Sequence, residues 1–234
     1  MIANSAGTFR VDALVFDAYG TLFDVHTVAA VAERLFPGRG DALARSWRRK
    51  QLEYTWLQSL MLSPTQRRED FAALTAHALD HAVDALGLVV QPAQRHRLLD
   101  AYLDLSPFPD AAGALASLAP LPRLVLSNGT RAMLEPLAAS TGLALHLDAI
   151  VSADSAGIYK PSPRVYQLAV DHLKLAPQRI GFVSSNGWDV AGAKAFGFTA
   201  FWVNRDGAAL ERHAPRPDAV ITSLEELPGL LGLD

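Results

Sequence analysis

Residues Val15–Asp24 read VFDAYGTLFD. The apolar run Ala13–Phe16 stops on Asp17, and Gly20 and Thr21 follow as a turn. A short, near-continuous apolar run ended by turn residues reads as a strand buried on both faces, the kind that parallel sheets use. Comparable runs recur at Arg123–Leu126, Ala149–Val151, Ile180–Val183, Ala200–Val203 and Ala219–Ile221. Helical patterns separate most of them, at Ala111–Leu118, Arg131–Ser140, Pro163–Leu173 and Asp189–Phe196. Pro136 conflicts with the second of these, because an interior proline removes a hydrogen bond and crowds the preceding turn. The alternation predicts an α/β fold, a doubly wound parallel sheet with crossover helices.

One interval breaks that alternation. From about Val25 to Asp104 there is no strand pattern, only amphipathic stretches at Val28–Leu35, Asp41–Met61, Arg67–Leu86 and Pro92–Leu105. The expectation is a helical cap over residues 25–104, inserted into a discontinuous core of residues 1–24 and 105–234. Prolines in Ser106-Pro107-Phe108-Pro109 punctuate the return. The glycines of FPGRGD lack the Walker spacing, so they read as a loop between cap helices.

Bulk properties narrow the function. With 234 residues, half of them hydrophobic, the chain can bury a sizeable core. The net charge of −3 gives no basic excess for nucleic acid. The absence of cysteine excludes disulfides, thiolate catalysis and Cys-ligated zinc. No apolar run approaches a membrane span, and MIANSAGTFR lacks the features of a signal peptide. A frayed N-terminal extension on a cytoplasmic protein is therefore expected. His77 and His81 have zinc-pair spacing, but no following Glu and no third ligand, so they read as a plain helix face. There is no G-x-S-x-G elbow for a serine hydrolase.

Three strand patterns end on polar residues: Asp17, Ser127 in LSNGT, and Ser184 in SSNGWD. The carboxyl ends of parallel strands line one edge, where ligands bind. Asp17, Ser127, Asn128 and the stretch Ser184–Asp189 are thus expected at one crevice, with Lys160 of YKPSPRVY nearby. In the helix carrying ARSWRRKQLEYTWLQSLM, Arg45, Arg49 and Glu53 form one row and read as an exposed charge stripe. Arg48 shares its row with Ala44, Leu52 and Trp56, so it either snorkels or faces a buried anion.

VFDAYGTLFD, LSNGT, YKPSPRVY and FVSSNGWDVAGAKAFGF resemble, in order, the sequential motifs of the haloacid dehalogenase superfamily. The chain is most similar to its L-2-haloacid dehalogenases, over nearly the whole length beyond the first ten residues. The resemblance implies a Rossmann-like core, a short-chain haloacid as substrate, no cofactor, no metal, and a homodimer that binds neither nucleic acid nor membrane. Most of the superfamily transfers phosphate, with a second aspartate two residues after the nucleophile. Here Tyr19 stands there, and a phenol near its ordinary pKa of about 10 cannot replace that acid. Halide leaves without a proton, so the replacement suits carbon–halogen cleavage.

The resemblance assigns Asp17 as nucleophile, Lys160 as its partner, and Asp189 as the base that activates water, with a lysine in that role as the alternative. Thr21 and Ser184 would bond the catalytic carboxylates. Asn186 would position Lys160, Asp189 or water, and Arg48 would receive the halide. Tyr19, Ser127, Asn128, Leu52, Trp56, Tyr166 and Trp188 complete the substrate-side set, with plain packing the competing reading for Tyr166 and Trp188. The family's aromatic-rich segment after Met61 is replaced here by the polar LSPTQRREDF. The rivals are a Mg²⁺-dependent phosphatase and an inactive binding protein of the same fold.

Overall fold

The computed structural model describes residues 8–61 and 68–233. Most of the expected N-terminal extension and residues 62–67 lie outside them. Six strands form one parallel sheet: β1 (Ala13–Phe16), β2 (Arg123–Ser127), β3 (Ala149–Ser152), β4 (Ile180–Ser184), β5 (Thr199–Val203) and β6 (Ala219–Ile221). Their order is β3-β2-β1-β4-β5-β6, so β1 is central and the chain switches direction between β1 and β4. A crevice at the carboxyl ends of those two strands follows from that reversal. Both strands are buried along their whole length, which is why they read as unbroken apolar runs.

Helices α5 (Ala111–Ser117), α6 (Arg131–Ser140), α7 (Pro163–Leu173), α8 (Gly187–Phe196) and α9 (Leu227–Leu231) flank the sheet. α6 forms despite Pro136. The conflict is met by a strong start, since the Thr130 side chain accepts from the Met133 amide at 3.2 Å, and by burial of Met133, Leu134 and Leu137. α8 begins at Gly187, two residues before the expected start, because Asn186 takes the extended N-cap conformation. Phe9 is tied down rather than frayed: its amide donates to Leu230 O at 2.8 Å and its ring meets Phe201 edge-on.

Between β1 and α5 lie four further helices and no strand among the described residues: α1 (His26–Leu35), α2 (Gly40–Leu60), α3 (Phe71–Ala85) and α4 (Pro92–Ala101). α4 stops four residues short of the sequence expectation. The chain leaves and returns side by side: the Asp24 amide donates to Ser106 O, the Phe108 amide to Leu22 O, and Phe23 bridges Pro107. The FPGRGD loop is closed by Glu33, whose carboxylate accepts the amides of Gly38 and Gly40. Gly40 already begins α2, and a side chain there would meet the Glu33 backbone at 2.1 Å.

The fully buried row of α2 is Leu43, Trp47, Gln51 and Thr55, and it faces α3. The Trp47 indole donates to Thr75 O, and Gln51 Nε2 donates to Thr75 Oγ1. Arg45 and Arg49 are exposed, as their row requires, while Arg48, Leu52 and Trp56 are half-buried between these two faces.

Candidate active site

Asp17 sits where β1 ends, its amide still bonded to Val183 O of β4 at 2.9 Å. The residue is 6 % exposed. The two oxygens are treated differently. Oδ2 accepts from Asn186 Nδ2 at 2.7 Å, Thr21 Oγ1 at 3.2 Å and Ser184 Oγ at 3.4 Å. Oδ1 accepts only from Lys160 Nζ, at 3.1 Å, among the described residues. One oxygen is anchored and the other keeps a lone pair.

Lys160 is fully enclosed, and its ammonium also donates to Asp189 Oδ2 at 2.8 Å. Burial works against its charge, but Asp17 and Asp189 outweigh it, so the pKa lies above the ordinary lysine value. The ammonium also lies over the Phe182 ring at 4.9 Å. Its backbone is held by Asn128, whose side-chain oxygen accepts the Lys160 amide at 2.9 Å. Asn128, expected on the substrate, thus spends its acceptor on the lysine segment.

Asp189 has no exposed surface. Burial, opposed by Lys160, pushes its pKa up to about 6. Oδ1 accepts from the Tyr166 hydroxyl at 2.7 Å. Tyr166 was expected on the substrate side of the site. It lies instead beneath Asp189, fully buried, with its ring against Phe182, Phe196 and Phe198. The competing packing role and the polar role are both present, because one end of the tyrosine is apolar and the other is not. Asn186 likewise differs from expectation. Its side-chain nitrogen donates to Asp17 and to Tyr19 O (3.1 Å), and its side chain makes no bond to Lys160 or Asp189 among the described residues.

Arg48 reaches down from α2. Nη2 donates to Tyr19 O at 3.4 Å, and Nη1 donates to Gln51 Oε1 at 2.8 Å. The Tyr19 ring stacks on Phe71 and meets Tyr102 edge-on, leaving its buried hydroxyl without a partner among the described residues. That hydroxyl is close to Gly129, where an added Cβ would come within 3.1 Å of it. Ser127 is buried in the same turn, with Oγ accepting the Gly129 amide at 3.1 Å. Trp56 and Trp188 meet edge-on at 5.6 Å, both with buried indole N–H groups that have no partner among the described residues. Leu52 lies one turn from each of Arg48 and Trp56 along the same side of α2.

The donor set argues against a hard divalent cation, which needs several oxygens. An ammonium already stands between the two carboxylates, and the Tyr19 carbonyl already accepts from Asn186 and Arg48. Away from the site, His77 pairs with Glu69 at 3.2 Å and His81 packs on Tyr54, both on a surface-facing helix.

Other contributors were given no role by the sequence reading, Ser185 being placed at the crevice only as part of Ser184–Asp189. Ser185 donates to Gly20 O at 2.6 Å, and its amide donates to Thr21 Oγ1 at 2.9 Å, which aims the threonine at Asp17. Gln51 and Thr75 form the relay behind Arg48. Gln51 lies three residues after Arg48, a legible helical spacing. Arg205 donates to Thr21 O at 3.4 Å while clasping Asp110, and nothing local marks it.

A family model described as a haloacid dehalogenase-like hydrolase matches residues 11–197. An (S)-2-haloacid dehalogenase of Xanthobacter autotrophicus is 42% identical, with 94% of this chain and 95% of that protein covered. The structure of L-2-haloacid dehalogenase from Xanthobacter autotrophicus with chloropropionic acid covalently bound superposes with a TM-score of 0.88 at 41% identity, covering 95% of this chain and 98% of that one. A crystal structure of another L-2-haloacid dehalogenase gives 0.91 at 40% identity, covering 95% and 99%. With a sheet switching direction beside Asp17 and a family match over most of its length, this chain belongs to the haloacid dehalogenase-like hydrolases.

Proposed function

We propose that this enzyme hydrolyses short L-2-haloalkanoic acids to D-2-hydroxy acids through an ester on Asp17. The observation that carries the reading is the asymmetry of that carboxylate, with Oδ2 held by three side chains and Oδ1 open but for Lys160. Such a group is positioned for covalent catalysis. Its agreement with the covalently bound chloropropionic acid of the Xanthobacter relative supports the assignment.

In the first step Asp17 Oδ1 attacks C2 from behind, the carbon–halogen bond breaks, and halide departs with the bonding pair. Configuration inverts. Arg48 stabilises the departing anion, and Ser127, with the turn amides after β2, holds the substrate carboxylate. Leu52, Trp56 and Trp188 wall the site against water. In the second step water attacks the ester's carboxyl carbon and loses a proton to Asp189. The acyl–oxygen bond breaks, the hydroxy acid takes up a proton, and Asp17 is restored carrying the oxygen from water. A base of pKa near 6 is mostly ionised at neutral pH and still basic enough to serve.

In the same proposal residues 25–104 act as a cap closing on the core, and the enzyme works in the cytoplasm as a homodimer. The exposed Leu57, Leu60 and Met61 at the end of α2 favour pairing there. Sedimentation equilibrium would test the pairing.

The test is chloride release from each enantiomer of 2-chloropropionate with chelator present, followed by one turnover in ¹⁸O-water. Only the (S) form should react, chelator should have no effect, and the label should appear in Asp17. An unlabelled Asp17 defeats the mechanism. A strict Mg²⁺ requirement with hydrolysis of a phosphate ester selects the phosphatase instead.

A further inference from the structure

A groove of about 760 Å³ runs between α1 and α2. The chemistry above does not use it, yet it shares a residue with the site: Arg48 lines it as well as bonding Tyr19 O. Tyr102 also lines it and packs edge-on against Tyr19 at 6.3 Å. Arg45 and Arg49 are further lining residues, both exposed. Asp41 is the one lining carboxylate, and it pairs with Arg45. Glu53, one turn beyond Arg49, is bonded by Lys50 at 2.9 Å. Arg49 has no ion pair of its own among the described residues. His26 is the remaining titratable group on the α1 side. The groove is therefore cationic in a chain of net charge −3. A cleft lined by one sign of charge focuses the field and concentrates counter-ions.

We propose that this groove is the path by which the anionic substrate reaches Asp17, with Arg49 gathering carboxylates at its mouth and Arg48 receiving them at its inner end. The proposal rests on the haloacid reading and adds the route and a selectivity residue to it. A neutral substrate would gain nothing from Arg49, whereas every anionic haloacid would.

Two experiments separate this proposal from the reading it rests on. The chain has no cysteine, so Ala44→Cys puts a lone thiol in the groove. In an Asp17→Asn background its alkylation by anionic iodoacetate is compared with that by neutral iodoacetamide. The ratio of the two rates cancels the thiol's ionisation. That ratio should drop about three- to tenfold when Arg49→Glu is added, the effect of reversing one charge several ångströms away in water. An unchanged ratio overturns the gathering role.

With Asp17 intact, Arg49→Glu should raise KM for (S)-2-chloropropionate by a similar factor at low ionic strength while kcat holds. Ala44→Trp, filling the groove, should cut kcat/KM at least about tenfold, as loss of access to a diffusing substrate would. Wild-type kcat/KM in a folded Ala44→Trp protein overturns the route. If the thiol ratio responds but the wild type releases no chloride, the haloacid reading falls and the groove stands as an anion-binding cleft.

Discussion

Asp189 shows how burial sets a role for a single side chain. The carboxylate has no exposed surface, and that burial raises its pKa to about 6 against the pull of Lys160 and Tyr166. A base must be ionised to act, so kcat should fall as the pH drops through about 6. The Tyr166 hydroxyl favours the ionised form, so Tyr166→Phe should move that limb to higher pH. A pH profile of kcat for the two proteins checks this, and an unmoved limb removes Asp189 from the role of base. The Tyr166 phenol itself is held well above its ordinary pKa by burial and by Asp189, so it stays a donor throughout. The resemblance named both residues but left open which carboxylate Tyr166 would bond. Six residues of separation from Lys160 say nothing about which side of a buried ammonium a ring will occupy.

α2 shows what helical geometry decides. Its row Leu43–Trp47–Gln51–Thr55 is buried against α3, so the row containing Arg48 is turned toward Tyr19 and the row containing Arg49 toward solvent. Arg48→Ala should lower kcat about 100-fold or more, the usual cost of losing a group aimed at developing charge. Arg49→Ala should change it less than about threefold. Halide-release kinetics on both variants check the phase, and equal losses refute it. The rows were legible from periodicity alone. The buried Gln51 in that row was not, because it is tolerable there only once Thr75 of α3 satisfies it. α8 makes a related point: at Gly192 an added Cβ would meet the Tyr166 hydroxyl at 2.5 Å and Pro161 at 2.6 Å. This close approach brings the helix carrying Asp189 against the segment carrying Lys160.

Across the whole molecule, Arg205 ties distant parts of the chain together. It clasps Asp110 through two bonds, at 2.6 and 2.9 Å, stacks on Phe108 and reaches Thr21 O. Asp110 also accepts from Ser223 and the Leu224 amide. Although burial opposes ionisation, these donors lower its pKa below the ordinary aspartate value. A carboxylate with a depressed folded pKa stabilises the fold above the ordinary range, about pH 3.9, and loses that contribution as the pH falls through the folded value. Asp110→Asn should therefore cost about 1–3 kcal/mol at pH 7. The gap in thermal midpoint from wild type should narrow on acidification, and a gap constant with pH would count against the clasp. A second tie joins the helices after β1 to the sheet: Arg68 pairs with Asp154 and lies over Tyr159, whose hydroxyl donates to Glu69 O. The parallel sheet, the helical interval after β1 and the carboxylate at the end of that strand were all legible in the order of residues alone. Those features follow from local periodicity and from where polar residues interrupt it. Which oxygen of Asp17 stays open, which partner Tyr166 takes, and the reach of Arg205 to the nucleophile's turn are settled in the folded chain. The first and last depend on contacts between residues more than a hundred positions apart, and the second on a pair from two different helices, meetings that no local pattern encodes.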